Sequence, residues 1–403
     1  MPGLRVSAHT RQQALERVER LAREGLDVAT FLSAAGAALD RAVPSGTEPT
    51  PAPTWMTLDP GSLLITSMFS GGCTMPMSAG EVVQLEYSSE MPSNRIGDVV
   101  RNPLGVQTLR QLVENDPDGL GEYVELLQSI GAEHEALVAL RAPDGEHWGA
   151  VYLARGPGQP DFSAEELDFL RAVAPYLAGG VRRGLLVGEA IEPDEPAAPA
   201  VVVLGEDLSP ESFTPGAQQW LSGLPALERG ELPAAVLSVA HAALDRRGAS
   251  QHGQPASARV RSERRGWVML HGQELAGRSG RRVAVTIQPA GPERITSLLM
   301  AAYGLTAREE QVTRHVLQGD STAQITKALS ISPYTVQEHL KHIFDKTAVR
   351  SRRELMSRVF IRHYQPRVED NDERVRQDKP IRGGPSPEGV EAAAAHRAAR
   401  IAR

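Results

Sequence analysis

The stretch from Leu305 to Leu355 constrains this chain most, because three helix starts are crowded into its first half. Thr306 with Glu309 and Ser321 with Gln324 each fit the capping box, in which a hydroxyl takes a first-turn amide and the third residue on reaches back. Ser332 as N-cap and Pro333 at the first helical position mark a third start, since the fixed φ of the ring suits a helix and its missing N–H costs nothing there. Helices therefore begin near 306, 321 and 332. Ile325, Ala328 and Leu329 form the inward side of the short middle helix, and Ser330 with Ile331 leaves only a tight turn. Such a turn forces the steep crossing of a helix-turn-helix. In the third helix Val336, Leu340, Ile343 and Phe344 recur at i, i+4, i+7 and i+8, so one stripe packs on a small core. The opposite face carries Tyr334, Gln337, Glu338, Lys341, His342 and Asp345, long polar side chains able to reach base edges or phosphates from a helix in a major groove.

In order, Leu305, Thr306, Arg308, Glu309; Gly319; Ser332, Thr335, Val336, His339, Leu340; and Ser351, Arg352, Glu354, Leu355 match the pattern of the LuxR-type DNA-binding domain, which this stretch resembles over roughly fifty residues. The resemblance implies that Gln337, Glu338 and Lys341 stand where the family reads bases, with Tyr334 and Thr335 on the same helix. It also implies that Ser321, Thr322, Lys327 and Lys346 touch backbone phosphate. A homodimer seam on the fourth helix, with Leu355, Val359 and Phe360, is implied too, and RNA polymerase is a partner the class allows. Asp320, Thr322 and Thr326 depart from the residues usual at their positions, which bears on the phosphate contacts of the middle helix rather than on its fold. Glu338 is an acid for a groove walled by phosphates, suited to accept from a cytosine amino group or to repel wrong sites.

Charge points the same way. Between 301 and 365 there are ten basic and six acidic residues, a balance of +4, whereas the whole chain carries −7 and the remainder therefore −11. A basic segment on an acidic body is the footprint of a polyanion partner, here a double-stranded DNA operator. The plain alternative is a helical bundle used only for dimerisation, its charges a solvated face.

With 403 residues the chain has room for two or three domains. No apolar run approaches the roughly 18 residues that would cross a bilayer, and the N-terminus lacks the apolar centre of a secretory signal. The single cysteine, Cys73, forbids an internal disulfide and a cysteine-based zinc site within one chain, and fits a reducing cytoplasm. In its Gly-rich surroundings Cys73 reads as a small loop residue. The expected location is cytoplasmic, with no membrane partner.

Ahead of the basic segment the pattern is α+β, so the chain reads as a multi-domain α+β protein ending in an all-α, four-helix reader. Residues 1–25 form an amphipathic helix with Leu15, Val18, Leu21 and Ala22 on one face, ready to pair with its copy or to lie on the next domain. Strands are expected at Leu63 to Ile65 and at Val82 to Tyr87, helical pieces at Thr108 to Val113 and Gly121 to Ser129. Glu135 to Leu140 and His147 to Leu153 flank a tight turn, and a helix capped by Ser163 and Glu166 closes the unit. This order, with GEHWGAVYLAR followed by FSAEELDFLRAVAPYLA, resembles the GAF-like sensor halves of actinobacterial LuxR-type regulators over residues 26–187. Residues 188–200 have linker composition. Residues 201–291 run strand, turn, short helices and three strands (Arg259 to Arg264, Trp267 to His271, Arg282 to Ile287), an order that resembles a PAS domain; the reader takes 292–365, and 366–403 read as a disordered tail.

Catalytic signatures are not evident. No G-x-x-x-x-G-K-[ST] loop excludes the ATP-driven large regulators of this class, and no apolar strand ending in aspartate near the start offers a phosphoacceptor. Paired carboxylates, H-x-x-x-H and G-x-S-x-G are missing, and the histidines stand singly, so an enzyme, a metal site and a cofactor are not expected. Trp55, Trp148 and Tyr152 are candidates for lining a pocket for a small-molecule effector, against the simpler reading that they are core anchors, as for Trp220 and Trp267. Two rivals stay open: a diffusible-signal receptor with the same reader, and a protein-interaction scaffold that binds no DNA.

Overall fold

The computed structural model describes residues 6–45, 53–70, 77–87, 94–185, 198–226, 231–245, 256–262, 266–275, 280–290, 300, 303–317, 319–347 and 349–355. The Cys73 loop, most of the expected linker, Arg264, Val359, Phe360 and the C-terminal tail lie outside them. The chain divides into two compact units. One comprises Met1–Val187, Ala200–Ser262 and Val268–Ile287, and the other is mainly the C-terminal part from Gln288. The whole is α+β: two antiparallel five-stranded sheets with helices, then helices alone.

In the first unit α1 (Ala8–Leu21) starts at Ser7, whose hydroxyl takes the Thr10 amide, and α2 (Val28–Ala42) at Asp27, whose carboxylate takes that of Thr30. β1 (Thr54–Leu58) and β2 (Ile65–Ser70) are a hairpin whose turn bends through Leu63 at φ +59°. Next comes α3 (Ala79–Tyr87), where alternation suggested a strand at Val82 to Tyr87. The helix wins because Ser78 and Glu81 form a capping box: the hydroxyl takes the Glu81 amide at 3.2 Å and the Glu81 carboxylate takes the Ser78 amide at 2.7 Å.

The segment continues through α4 (Ile96–Arg101), β3 (Val106–Thr108), α5 (Leu109–Asn115) and α6 (Gly121–Ser129) to the long hairpin β4 (His134–Arg141) and β5 (His147–Arg155). The helix α7 (Ala164–Gly184) closes it. The sheet runs β2-β1-β5-β4-β3. The terminal helix α1 packs on α2 and α7 rather than standing alone. Phe31 of α2 lies so flat on α7 that a Cβ at Gly180 would come within 2.0 Å of its ring. Arg155 fastens this layer. Its guanidinium donates to both oxygens of Glu166 at 2.7 and 3.2 Å and to the carbonyls of Pro44 and Pro160, and it stacks on Phe162.

The second half of this unit repeats the pattern. It contains β6 (Ala200–Gly205), β7 (Pro210–Phe213), α8 (Ala217–Leu221), α9 (Ala234–Leu244), β8 (Ser257–Ser262), β9 (Gly266–Leu275) and β10 (Arg282–Pro289). Its order, β7-β6-β10-β9-β8, is that of the first sheet taken strand for strand. Helix α9 is apolar around its whole circumference because it is covered on both sides. On one side Gly272 of β9 leaves room for the Val239 carbonyl, which a Cβ there would meet at 2.6 Å. On the other side Ala234 and Leu237 join the core of the first sheet beside Ala79 and Val83 of α3. The Arg259 to Arg264 run is a half-buried strand as far as it is described, and Arg259 is no nucleic-acid contact. Its backbone and Nε donate to Asp59 Oδ2 at 2.8 and 3.0 Å.

The second unit is built on α10 (Ala307–Leu317), α11 (Thr322–Leu329) and α12 (Pro333–Thr347). Leu305, Val312, Val316, Ile325, Val336, Leu340, Ile343 and Leu355 form its core, with Leu329 and Phe344 against it. Ala328, expected inside, is exposed, because a helix of only 8 residues turns just Ile325 fully inward.

Candidate functional site

Each helix of the C-terminal unit begins where its cap requires. The Thr306 and Glu309 pair exchanges amide bonds at 3.3 and 2.7 Å, Ser321 and Gln324 close a full capping box, and the Ser332 hydroxyl takes the Thr335 amide at 3.0 Å. Between α11 and α12 the chain turns at Ser330, in the left-handed region at φ 54°. A set of side-chain ties then fixes the angle. Arg308 donates to the Leu329 carbonyl at 2.6 Å, filling an acceptor the helix end leaves open. Arg352 donates to the Asp320 carbonyl at 3.0 Å and to the Thr322 hydroxyl at 2.8 Å. Lys346 donates to the buried Glu309 at 2.7 Å. Burial pushes the Glu309 carboxyl up, but the Lys346 and Thr306 bonds outweigh it and hold it below the usual range.

What this scaffold presents is one face of α12. Tyr334 is 74% exposed, Gln337 and Lys341 are exposed, and Thr335 and Glu338 are half-buried at the edges. Among the described residues Gln337, Lys341 and Lys327 form no side-chain hydrogen bond or ion pair, so their polar ends are free for a ligand. The other expected contacts are already engaged within the domain: Ser321 caps α11, Thr322 accepts from Arg352, Thr335 meets the Ser332 hydroxyl at 2.8 Å, and Lys346 holds Glu309. Sequence reasoning passed over Arg350 and Arg353, which are exposed on the same unit. Their signal was the basic cluster beside the fourth helix start.

Residues 304–359 match the family described as bacterial regulatory proteins, luxR family. The C-terminal segment is a LuxR-type helix-turn-helix domain. Among curated proteins, the monoamine regulon transcriptional regulator of Klebsiella aerogenes is 44% identical over 57 residues, 14% of this chain and 25% of that protein. An HTH-type transcriptional regulator described from the exeN 3′ region of Aeromonas salmonicida is 43% identical over 67 residues, 16% of this chain and 34% of its own. The chain thus spans only about a quarter to a third of the length of these relatives. Bacteriophytochrome RpBphP3 of R. palustris aligns with 72% of this chain and 64% of its own at 12% identity and TM-score 0.32. The E. coli DhaR(N)-DhaL complex aligns with 72% and 92% at 13% and 0.21. Likenesses at such scores carry no weight. Among the described residues no helix is long and apolar enough to cross a membrane.

Far in sequence from the LuxR-type domain, the first sheet walls a pocket that opens to solvent, with a cavity volume of about 80 Å³. Its walls come from Met56 of β1, Val82 and Leu85 of α3, Ile96 of α4, Leu127 of α6 and Leu137 of β4. Thr54, Glu86, Asn94, Tyr123 and Tyr152 supply the polar groups. Behind them the buried Glu135 accepts from Tyr123 Oη and from Asn94 Nδ2, both at 2.6 Å. Glu86 accepts the Ile96 amide at 2.9 Å and the Gly97 amide at 3.3 Å, so it caps α4. Burial lifts each carboxyl to about 7, against the bonds that favour its charged form. Burial, and then the neighbouring Glu135, push the Tyr123 and Tyr152 phenols well above their ordinary range.

Of the aromatic candidates only Tyr152 lines this cavity. Trp55 faces the other side of the sheet, its indole 3.6 Å from where a Cβ on Gly36 of α2 would stand, and Trp148 is fully buried without reaching the cavity wall. Trp220 and Trp267 are buried as well. The acids escaped notice, although Glu135 had a signal: it shares the inward face of β4 with Leu137 and Ala139, where a carboxylate is out of place.

Proposed function

We propose that this chain is a transcription regulator that binds double-stranded DNA as a homodimer and lays α12 in the major groove under control of its N-terminal sensor half. The observation that carries the reading is the free polar face of α12, with Gln337, Lys341 and the exposed Tyr334, held on a scaffold tied by the Arg308, Arg352 and Lys346 bonds. In that role Gln337, Glu338 and Lys341 meet base edges, while Lys327, Arg350 and Arg353 meet phosphates. Ser321, Thr322 and Lys346 act chiefly by holding the domain together. The repeated sheet order supports a GAF-like unit of 26–187 and a PAS-like unit of 201–291, with the α3–α9 contact carrying change from one to the other. Selection of bound duplexes from a random pool tests the reading. Enrichment of an inverted repeat supports it, and Lys341→Ala should then weaken binding and relax base preference; no enrichment would refute it.

A further inference from the structure

We propose that the cavity between β1, α3, α4, α6 and β5 binds a small organic cation, a primary ammonium on a compact aliphatic or aromatic body. The inference deepens the sensor reading above and depends on it only for the consequence of binding. Asn94, 8% exposed, lines the cavity; its Nδ2 is committed to Glu135 and the Gln107 carbonyl, and its buried Oδ1 has no partner among the described residues. The Tyr152 hydroxyl is likewise buried and unpartnered on the same wall. Leaving such groups unsatisfied costs about 1–3 kcal/mol each, so a pocket that keeps both has a use for them.

What they can use is a donor. Asn94 Oδ1 and the Glu86 carboxylate only accept, the Tyr152 hydroxyl accepts as well as donates, and a primary ammonium brings three N–H groups to three such acceptors. The field has the same preference: Glu86 lines the cavity, Glu135 stands one hydrogen bond behind it, and among the described residues no lysine, arginine or histidine lines the wall. Arg95, half-buried beside Glu86, has its own partner and is not part of the lining. An anion would face the Glu86 carboxyl, with Glu135 one hydrogen bond behind the wall, and would find no cationic donor among the described lining residues. The remaining walls are apolar, which suits a hydrocarbon body. Because both carboxyls hold protons part of the time near neutrality, an arriving ammonium should also drive protons off them.

The test is calorimetric titration of the full chain at pH 7 with 2-phenylethylamine, 2-phenylethanol and 3-phenylpropionate, which share one apolar body. The amine should bind about tenfold or more tightly than the alcohol, the value of a charge-assisted hydrogen bond, and its heat should change with buffer as protons are released. Tyr152→Phe should weaken the amine severalfold while leaving the melting temperature unchanged or raised, since it removes only an unpartnered hydroxyl. Equal binding of amine and alcohol, preference for the carboxylate, or no binding by the amine would overturn the proposal. Operator affinity measured with and without each probe separates the two readings. An alcohol that binds as tightly as the amine and shifts operator affinity would sink the cation and keep the sensor; an amine that binds more tightly without shifting it would keep the cation and sink the control.

Discussion

Replacing Glu135 by Gln should make the protein more stable at pH 8 and leave it little changed at pH 5. The carboxyl is 1% exposed, and burial raises it from 4.5 to about 7 despite bonds from Tyr123 and Asn94. In the unfolded chain it ionises near its ordinary value. Between those two values the folded state binds more protons than the unfolded one, so stability falls as pH rises through the window from about 4.5 to 7. At about 1.4 kcal/mol per pKa unit the loss is about 3–4 kcal/mol, nearly complete by pH 8. Glutamine cannot ionise, and its carbonyl can still accept from Tyr123. Its amide would meet the Asn94 amide, but that group can flip and offer the unpartnered Oδ1. Urea unfolding followed by tryptophan fluorescence at pH 5 and pH 8 is the assay. The wild type should lose about 2–3 kcal/mol more than Glu135→Gln between the two. Parallel pH profiles for the two proteins would refute the reasoning.

Lys341→Ala should cost about 1–3 kcal/mol in binding to a selected operator, read by fluorescence anisotropy, with no change in melting temperature because the side chain has no partner within the described residues. Gly180→Val should destabilise the first unit by about 1–3 kcal/mol, since its side chain would enter the Phe31 ring, and a thermal melt checks it. Arg155→Met should cost about 3–5 kcal/mol in chemical denaturation by leaving the buried Glu166 without its cation, the Ser163 amide its remaining partner. Lys346→Met should likewise weaken the C-terminal unit. There the sign of the pH effect is opposite to that of Glu135: Glu309 is held below its usual value, so the wild-type contribution is present at neutral pH and lost as pH falls through the acid range.

Local chemistry made the C-terminal unit legible from residues alone. Caps at Thr306, Ser321 and Ser332 and the Val336, Leu340, Ile343 stripe are short-range signals, and each helix begins where they place it. The hairpin at Pro143 to Gly145 and the Ser163 cap were readable for the same reason. Val82 to Tyr87 misled because its apolar residues alternate as in a strand, and the Ser78 and Glu81 box that starts a helix there went unread. The cavity was not legible at all: Glu86, Asn94, Tyr123 and Glu135 lie on four separate segments, and only the sheet order brings them together. Nor did any local pattern reveal that Thr322 and Lys346 are engaged by Arg352 and Glu309, contacts spanning 30 and 37 residues.

The central claim is that the free face of α12 reads a duplex, and its most direct test is the affinity of the full chain for a pool-selected operator measured across salt concentrations. Several phosphate contacts per protomer predict that log K falls linearly with log salt, with a slope of about −0.9 for each phosphate neutralised, and that Lys341→Ala loses preference for the selected sequence over random DNA. An affinity that stays flat with salt, or a Lys341→Ala protein that discriminates as well as the wild type, would contradict the account.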